Sequence, residues 1–457
     1  MTDAKPSPVL LTAHGADPLS GRFVTPGDTA ISQRALLLAA LAVGTSTLAG
    51  MRASADVLAS AAALRQMGVQ IEMNGADWTV HGLGVLGLLA PEGPLEPGHG
   101  ASLPLLLGML APYGLVTPFS AGMAVEGEPA PALGEPPRAL RDGLGALGAR
   151  VERREDGGLD LVGAYLALPV RLSLEAADET SKTALLLAGL QVAGESTIHE
   201  RVPTHDHSEK LLAAFGADIR ITPDAGDGQG VTIQLAGLPA LRPQAIAVPG
   251  DPSAAAFAIV AALIIKGSEL LVENVLINPL RTGLIDTLLE MGGDIQFLNQ
   301  REIAGEHVAD LRVRSSWLKG VRVDAQHARA MLDDVAALAI AAAFAQGETV
   351  INGLSGLGET EDNRLTALAA GLRANKVGVT LSAESLTLAG DGKVAGGGRV
   401  DSQGDASVAM SFAVMGLASR HKVTIKGAEA IAEIFPGFVA AMSAAGGRFP
   451  PSKTPRT

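Results

Sequence analysis

The sequence predicts a mixed α/β protein of two domains, each built from three βαβαββ-type repeats around buried helices, like an α/β barrel turned inside out. Three observations predict it. One helix–turn–strand design recurs six times along the 457 residues. The first helix of each copy is apolar nearly all round. A Pro-Gly-Asp-Pro break at 249–252 leaves three copies on each side.

The first pattern is an Ala/Leu-rich helix, then Gly with Ser or Thr, then a short strand. It reads ISQRALLLAALAVGTSTLAG, SKTALLLAGLQVAGESTIHE, SAAAFAIVAALIIKGSELLVENV, DDVAALAIAAAFAQGETVING and ASVAMSFAVMGLASRHKVTIKG, with a weaker copy in ASLPLLLGMLAPYGLVTPF. A helix without a polar face has to be buried on all sides. The second pattern is an amphipathic helix, a Gly stop and a strand: LRQMGVQIE, LGALGARVE, LAAFGADIRI, LLEMGGDIQF, LRANKVGVTL and MSAAGGRF. Gly just past a helix suits a left-handed C-cap; in the fifth copy Lys376 stands there instead. Helix-period and strand-period stretches alternate throughout.

In AIAVPGDPSAAAF the prolines break a strand and start a helix, with Asp251 or Ser253 available as N-cap. The chain is expected to begin in one domain (1–25 plus 248–449), build the other (26–247), return, and end in a disordered tail (450–457).

Composition narrows the function. Apolar residues make up 47% and aromatics 3%, so the core is aliphatic. Net charge is −13 and no basic stripe is present, which excludes a nucleic-acid partner. The absence of cysteine removes disulfides, thiolate metal sites and a cysteine nucleophile. The N-terminus shows no secretory pattern, and the longest apolar run, Ala254 to Ile265, is too short for a bilayer. A cytoplasmic monomer without a membrane partner is expected.

At this point specific motifs matter. VPGDPSAAAF, NPLRTGLIDTLLEMG, VADLRVRSSWLKG, AFAQGETVING, FPGF and PGDTAISQRALLLAALAVGTST resemble the EPSP synthase family along nearly the whole chain. The resemblance implies the two-domain enolpyruvyl-transferase fold with threefold internal pseudo-symmetry in each domain. It also implies transfer of an enolpyruvyl group from phosphoenolpyruvate to the 5-hydroxyl of shikimate 3-phosphate, in aromatic amino acid biosynthesis, with no cofactor and no metal. One group protonates the methylene carbon, another takes the hydroxyl proton, and cations hold the anions.

Carried over residue by residue, Asp333 matches the general base and Glu361 a proton-transfer group; Arg34 matches a contact to shikimate 3-phosphate and Arg364 one to phosphoenolpyruvate. Each has a structural alternative. Asp333 or Asp334 suits an N-cap, Glu361 and Arg364 a surface i,i+3 pair, and Arg34 a buried guanidinium on helix-end carbonyls. Arg281 reads as structural.

Other family positions are replaced. Thr29 stands for the active-site Lys, Ala30 for the next Ser, and Pro104 for an Arg. Asp178-Glu179-Thr180 stands for Ser-Ala-Gln, His205 for an Arg, Thr360 for a Lys, and Asp405-Ala406-Ser407 for Asp-His-Arg. Either Glu128-Pro129 or Glu135-Pro136 replaces an Arg-Pro loop. At roughly 1.5–3 kcal/mol per charge-assisted hydrogen bond, these losses predict little affinity for the two anions. The sequence therefore favours a diverged homologue with lost or strongly reduced activity. Its alternatives are an active 3-phosphoshikimate 1-carboxyvinyltransferase with substituted site residues, and a transferase acting on a less anionic substrate. His205 and His207 would share one face of a strand, but a metal is not expected there, because Asp206 and His207 follow the family's metal-free pattern.

Overall fold

The computed structural model describes residues 9–98, 100–121, 132–225 and 229–450. The possible site at Glu128-Pro129, and the expected tail from residue 451 on, lie outside them. The described residues divide into two units. Unit 1 comprises the residues up to Pro26, Pro249–Glu302 and those from His307 on; unit 2 comprises Gly27–Val248 and Ile303–Glu306. The last four residues span the turn between strands Asp294–Ile303 and Glu306–Arg314.

Six core helices carry the apolar repeats: α1 (Thr29–Leu41), α2 (Ser102–Leu110) and α3 (Glu179–Gly189) in unit 2, and α4 (Pro252–Ile264), α5 (Val335–Ala343) and α6 (Ala406–Ala418) in unit 1. Every residue of α5 is buried, as are Ile31 to Leu41 of α1. The three helices of unit 1 pack pairwise. In unit 2, α2 and α3 cross closely at Gly108, where a Cβ would stand 2.1 Å from the Ala184 carbonyl oxygen. Buried polar side chains on α1 find partners: the Ser32 hydroxyl accepts from the Arg52 amide, and Gln33 donates to Ser60, which bonds Ser102. Such pairing is the condition for burying a polar group without losing stability.

Among the described residues the six core helices are matched by six sheets of three or four strands, three sheets to a unit. In five of them the strand after the core helix pairs antiparallel with a later strand; in the sixth, Val423–Lys426 after α6 pairs antiparallel with Leu10–Ala13, the first strand. In three of the six the strand after the core helix also pairs parallel with the strand just before that helix. Arg171–Leu174 joins Glu195–Glu200 around α3, Arg322–Val323 joins Gln346–Asn352 around α5, and Arg399–Asp401 joins Val423–Lys426 around α6. Two sheets exchange this parallel strand. Ser20–Val24, which precedes α1, pairs with Glu269–Leu276 after α4; Ala245–Ala247, which precedes α4, pairs with Gly44–Ala49 after α1. The exchange lets the chain leave unit 1, build unit 2 and return without leaving either sheet short of a strand. Leu10–Ala13 pairs with Val423–Lys426, so the first strand completes the last sheet.

The amphipathic repeats form outer helices such as His207–Ala214 and Glu359–Ala374. At their C-terminal stops Gly68, Gly148, Gly216, Gly292 and Gly446 take φ between +92° and +114°. Lys376, the exception in the sequence, takes the same left-handed conformation at φ +68°.

Candidate active site

Charged residues collect at the N-termini of the core helices, where unpaired N–H groups and the helix dipole favour negative charge. Four of these helices are capped by aspartate. Asp28 accepts from the Ile31 amide, Asp178 from Ser181, Asp251 from Ser253, and Asp405 from Val408, at 2.8–2.9 Å. The Asp178 carboxylate is therefore engaged with the backbone at the N-terminus of α3.

In unit 1, Arg364 projects from the outer helix Glu359–Ala374 and donates through Nε to Asp405 Oδ2 at 2.8 Å. Its Nη1 lies 3.6 Å from Asp333 Oδ1. Burial lowers the Arg364 pKa, but the hydrogen bond and charge of Asp405, then Asp333 and Glu361, raise it overall. Arg364 is thus held as a cation at the N-terminus of α6, and its main partner is not Glu361 on its own helix. The Asp333 side chain is 78% exposed, which leaves its carboxylate accessible. Glu361 is half-buried in the first turn of the same outer helix.

Asp334 behaves differently from its neighbour. It is buried, its side chain does not cap α5, and its Oδ1 has no hydrogen-bond partner. Burial pushes its carboxyl up to about 7, although the Arg281 charge and a hydrogen bond from Ser253 oppose the rise. Arg281 reaches Asp251 Oδ1 at 3.5 Å and Ser253 Oγ at 3.3 Å, so it meets a carboxylate and a hydroxyl as well as any loop carbonyl.

In unit 2, Arg34 is 6% exposed and makes four hydrogen bonds. It donates to Ser208 Oγ, the Ala30 carbonyl, Thr183 Oγ1 and Glu179 Oε1, the last at 2.6 Å. The other carboxylate oxygen of Glu179 lies 2.8 Å from His205 Nδ1. Burial would raise the Glu179 carboxyl, but the charge of Arg34 and then the hydrogen bond and charge of His205 outweigh it. They hold the group far below the usual carboxylate range.

Deeper in unit 2 lie charged residues that sequence reasoning missed. Lys182, fully buried on α3, reaches Glu200 at 3.2 Å, Glu209 at 2.8 Å and the His205 carbonyl at 2.8 Å. A lysine inside the otherwise apolar SKTALLLAGL was the available signal, since lysine is almost never fully buried unless paired. Glu306 accepts from buried His207 at 2.6 Å and lies 3.3 Å from Lys210. Nothing in the sequence marked Glu306.

The expected strand geometry for His205 and His207 is corrected. Asp206 is the N-cap of His207–Ala214, and the two imidazoles bond different carboxylates. Asp206, His207 and Glu306 do bring ligand-type atoms within 4.8 Å of one another. The Lys210 ammonium, 2.9 Å from Asp206, already supplies the positive charge between Asp206 and Glu306.

The other replaced positions fall as follows. Thr29 and Ala30 are half-buried in the first turn of α1, and Pro104 in the first turn of α2, where its missing N–H has no intrahelical acceptor to lose. Thr180 is half-buried in the first turn of α3, Ser407 is buried in that of α6, and Thr360 is exposed. Glu135 bonds Arg141 at the surface. Among the described residues no helix is long and apolar enough to cross a membrane.

Comparison with known proteins identifies the family. The family model for EPSP synthase (3-phosphoshikimate 1-carboxyvinyltransferase) matches residues 13–442. The chain is 43% identical to a 3-phosphoshikimate 1-carboxyvinyltransferase of Methylorubrum populi, over 98% of both chains. It is 44% identical to one of Parvibaculum lavamentivorans, over 96% of both. An EPSP synthase structure from Acinetobacter baumannii superposes with a TM-score of 0.86 at 32% identity, covering 97% of this chain and 99% of that one. The enolpyruvyl transferase NikO from Streptomyces tendae, at 20% identity and a TM-score of 0.75, shares the fold. The chain belongs to the EPSP synthase family.

Proposed function

We propose that the chain is an active enolpyruvyl transferase of the 3-phosphoshikimate 1-carboxyvinyltransferase type, working with substituted site residues. The observation that carries this is the half-buried Arg364 held between Asp405 and an accessible Asp333, in a chain that follows the family over its whole length. Whole-length similarity to relatives of that name supports the active reading over the lost activity that the replaced cations suggested.

Asp333 takes the proton of the acceptor hydroxyl as the oxygen bonds C2 of phosphoenolpyruvate. Glu361 delivers a proton to C3, which becomes a methyl group. Glu361 then takes a proton back from C3 as phosphate leaves C2, with the proton held by Asp333 passing to the departing phosphate, and the vinyl group is restored. Arg364 pairs with an anionic group of phosphoenolpyruvate at the positive end of α6. No step needs a metal.

A second reading, transfer to a less anionic acceptor, is favoured by the Glu179 carboxylate on Arg34. The test is phosphate release from phosphoenolpyruvate with shikimate 3-phosphate, both at millimolar concentration. Turnover of about 1 s⁻¹ or faster, slowed at least ~100-fold by Asp333→Ala, is the expected result. A correctly folded protein that releases no phosphate above the blank would return the chain to the lost-activity reading.

A further inference from the structure

The turn before α5 carries two consecutive carboxyls in opposite surroundings. The Asp333 side chain is 78% exposed and lies 3.6 Å from Arg364 Nη1. Asp334 is 6% exposed and accepts a hydrogen bond from Ser253, in the first turn of α4. Ser253 in turn accepts from Arg281 at 3.3 Å, and the same guanidinium nitrogen lies 3.5 Å from Asp251 Oδ1. The Arg281 charge is thus shared with a second carboxylate. Asp334 Oδ1 has no hydrogen-bond partner. A buried carboxylate with one oxygen unmet is costly, whereas the acid form carries its proton on that oxygen. Burial pushes the carboxyl up to about 7, so the neutral acid is the form that the fold accommodates best.

We propose that Asp334 is a positioning residue that sets the charge behind Asp333 and Arg364: as a neutral acid it leaves Asp333 the single negative charge of the turn, and as a carboxylate it adds a second one that weakens the hold on anionic phosphoenolpyruvate. The proposal rests on the transferase reading above, in which Arg364 pairs with an anionic group of that donor. Asp334 acts through its charge, one residue along from the carboxylate that faces Arg364, and a charge buried away from water is screened little over such a span. The charged groups that face Asp334 come from three elements: Asp333 on its own turn, Arg281 in the loop before Gly283–Glu290, and Asp251 at the start of α4. Arg281 favours the carboxylate, and both aspartates disfavour it. A rise in pH through the Asp334 value therefore adds negative charge at a turn that already holds Asp333.

The test compares wild type with Asp334→Asn, which keeps the shape of the neutral acid and cannot ionise. Asp334→Ala, which also removes the charge, serves if the asparagine variant does not fold. Phosphoenolpyruvate is varied with shikimate 3-phosphate saturating, at about pH 6 and about pH 8.5, on either side of the Asp334 value. Titrations common to both proteins, those of Asp333 and of the substrates included, cancel in the comparison. The KM values for phosphoenolpyruvate should agree within about twofold near pH 6, and the wild-type KM should exceed the variant's by at least about fivefold near pH 8.5, while the ratio of the two kcat values stays constant. A merely structural role would instead lower kcat/KM of the variant by the same factor at both pH values. That result, or superimposable KM profiles in an active enzyme, would overturn the proposal and leave the transferase reading standing. Calorimetric Kd values for phosphoenolpyruvate make the same comparison without turnover. A folded protein that releases no phosphate yet shows the fivefold difference in Kd would keep the charge role and sink the transferase reading. One that binds no phosphoenolpyruvate at either pH would sink both.

Discussion

Unit 1 and unit 2 present the same device, core helices with acidic residues at their N-termini, and handle it in opposite ways. In unit 1, Arg364 rests on Asp405, Asp333 stands largely in solvent, and one oxygen of buried Asp334 has no partner. In unit 2 the carboxylate of Glu179 lies against Arg34 and His205, and Lys182 sits between two buried glutamates. The same fold can thus keep charge available for chemistry or consume it in structure.

The largest effect should come from opening the closed unit. Lys182→Met leaves Glu200 and Glu209 buried without their cation, which should destabilise by about 3–5 kcal/mol in urea unfolding. A loss below about 1 kcal/mol would mean that these carboxylates are taken up protonated or hydrated, and that unit 2 is less closed than described.

The unmet carboxylate of unit 1 should announce itself by pH. Asp334 has a folded-state value of about 7 against an ordinary 3.8. A carboxyl raised on folding binds more protons in the native state, so its contribution is full below the unfolded value and is lost as pH rises through the folded one. Asp334→Asn should therefore leave stability nearly unchanged below pH ~4 and gain steadily on the wild type toward pH ~8, by about 4 kcal/mol at most at 1.36 kcal/mol per unit. Chemical unfolding at several pH values checks it; a difference independent of pH contradicts it.

The smallest effect concerns the backbone. Lys376 holds a left-handed conformation that glycine adopts at the five matching stops. Lys376→Gly should stabilise unit 1 by about 1 kcal/mol, read as a small rise in melting temperature. A loss of stability would mean that the lysine side chain contributes more than the strain removes.

Much of the fold was legible in the sequence because its signals are local. Helices such as VAALAIAAA have no polar face, and a glycine stop recurs after each amphipathic helix; even the exception at Lys376 marked the right position. The strand exchange between Ser20–Val24 and Ala245–Ala247 was not legible, because the partner of a short strand is set by long-range packing. Arg34, Asp333 and Arg364 stand out in the sequence as motif residues, but their partners do not. Arg364 pairs with Asp405, 41 residues away, and His207 with Glu306, 99 residues away. The Asp178-Glu179-Thr180 run was visible as a change of charge, but its partners were not: Asp178 caps a helix, and Glu179 lies against Arg34 and His205.

The proposed activity is tested most directly by steady-state kinetics on the unaltered protein, following phosphate release from phosphoenolpyruvate with shikimate 3-phosphate as acceptor. If Asp333 and Arg364 of unit 1 are held ready for chemistry, phosphate is released at about 1 s⁻¹ or faster. A correctly folded protein that releases no phosphate above the blank would contradict it.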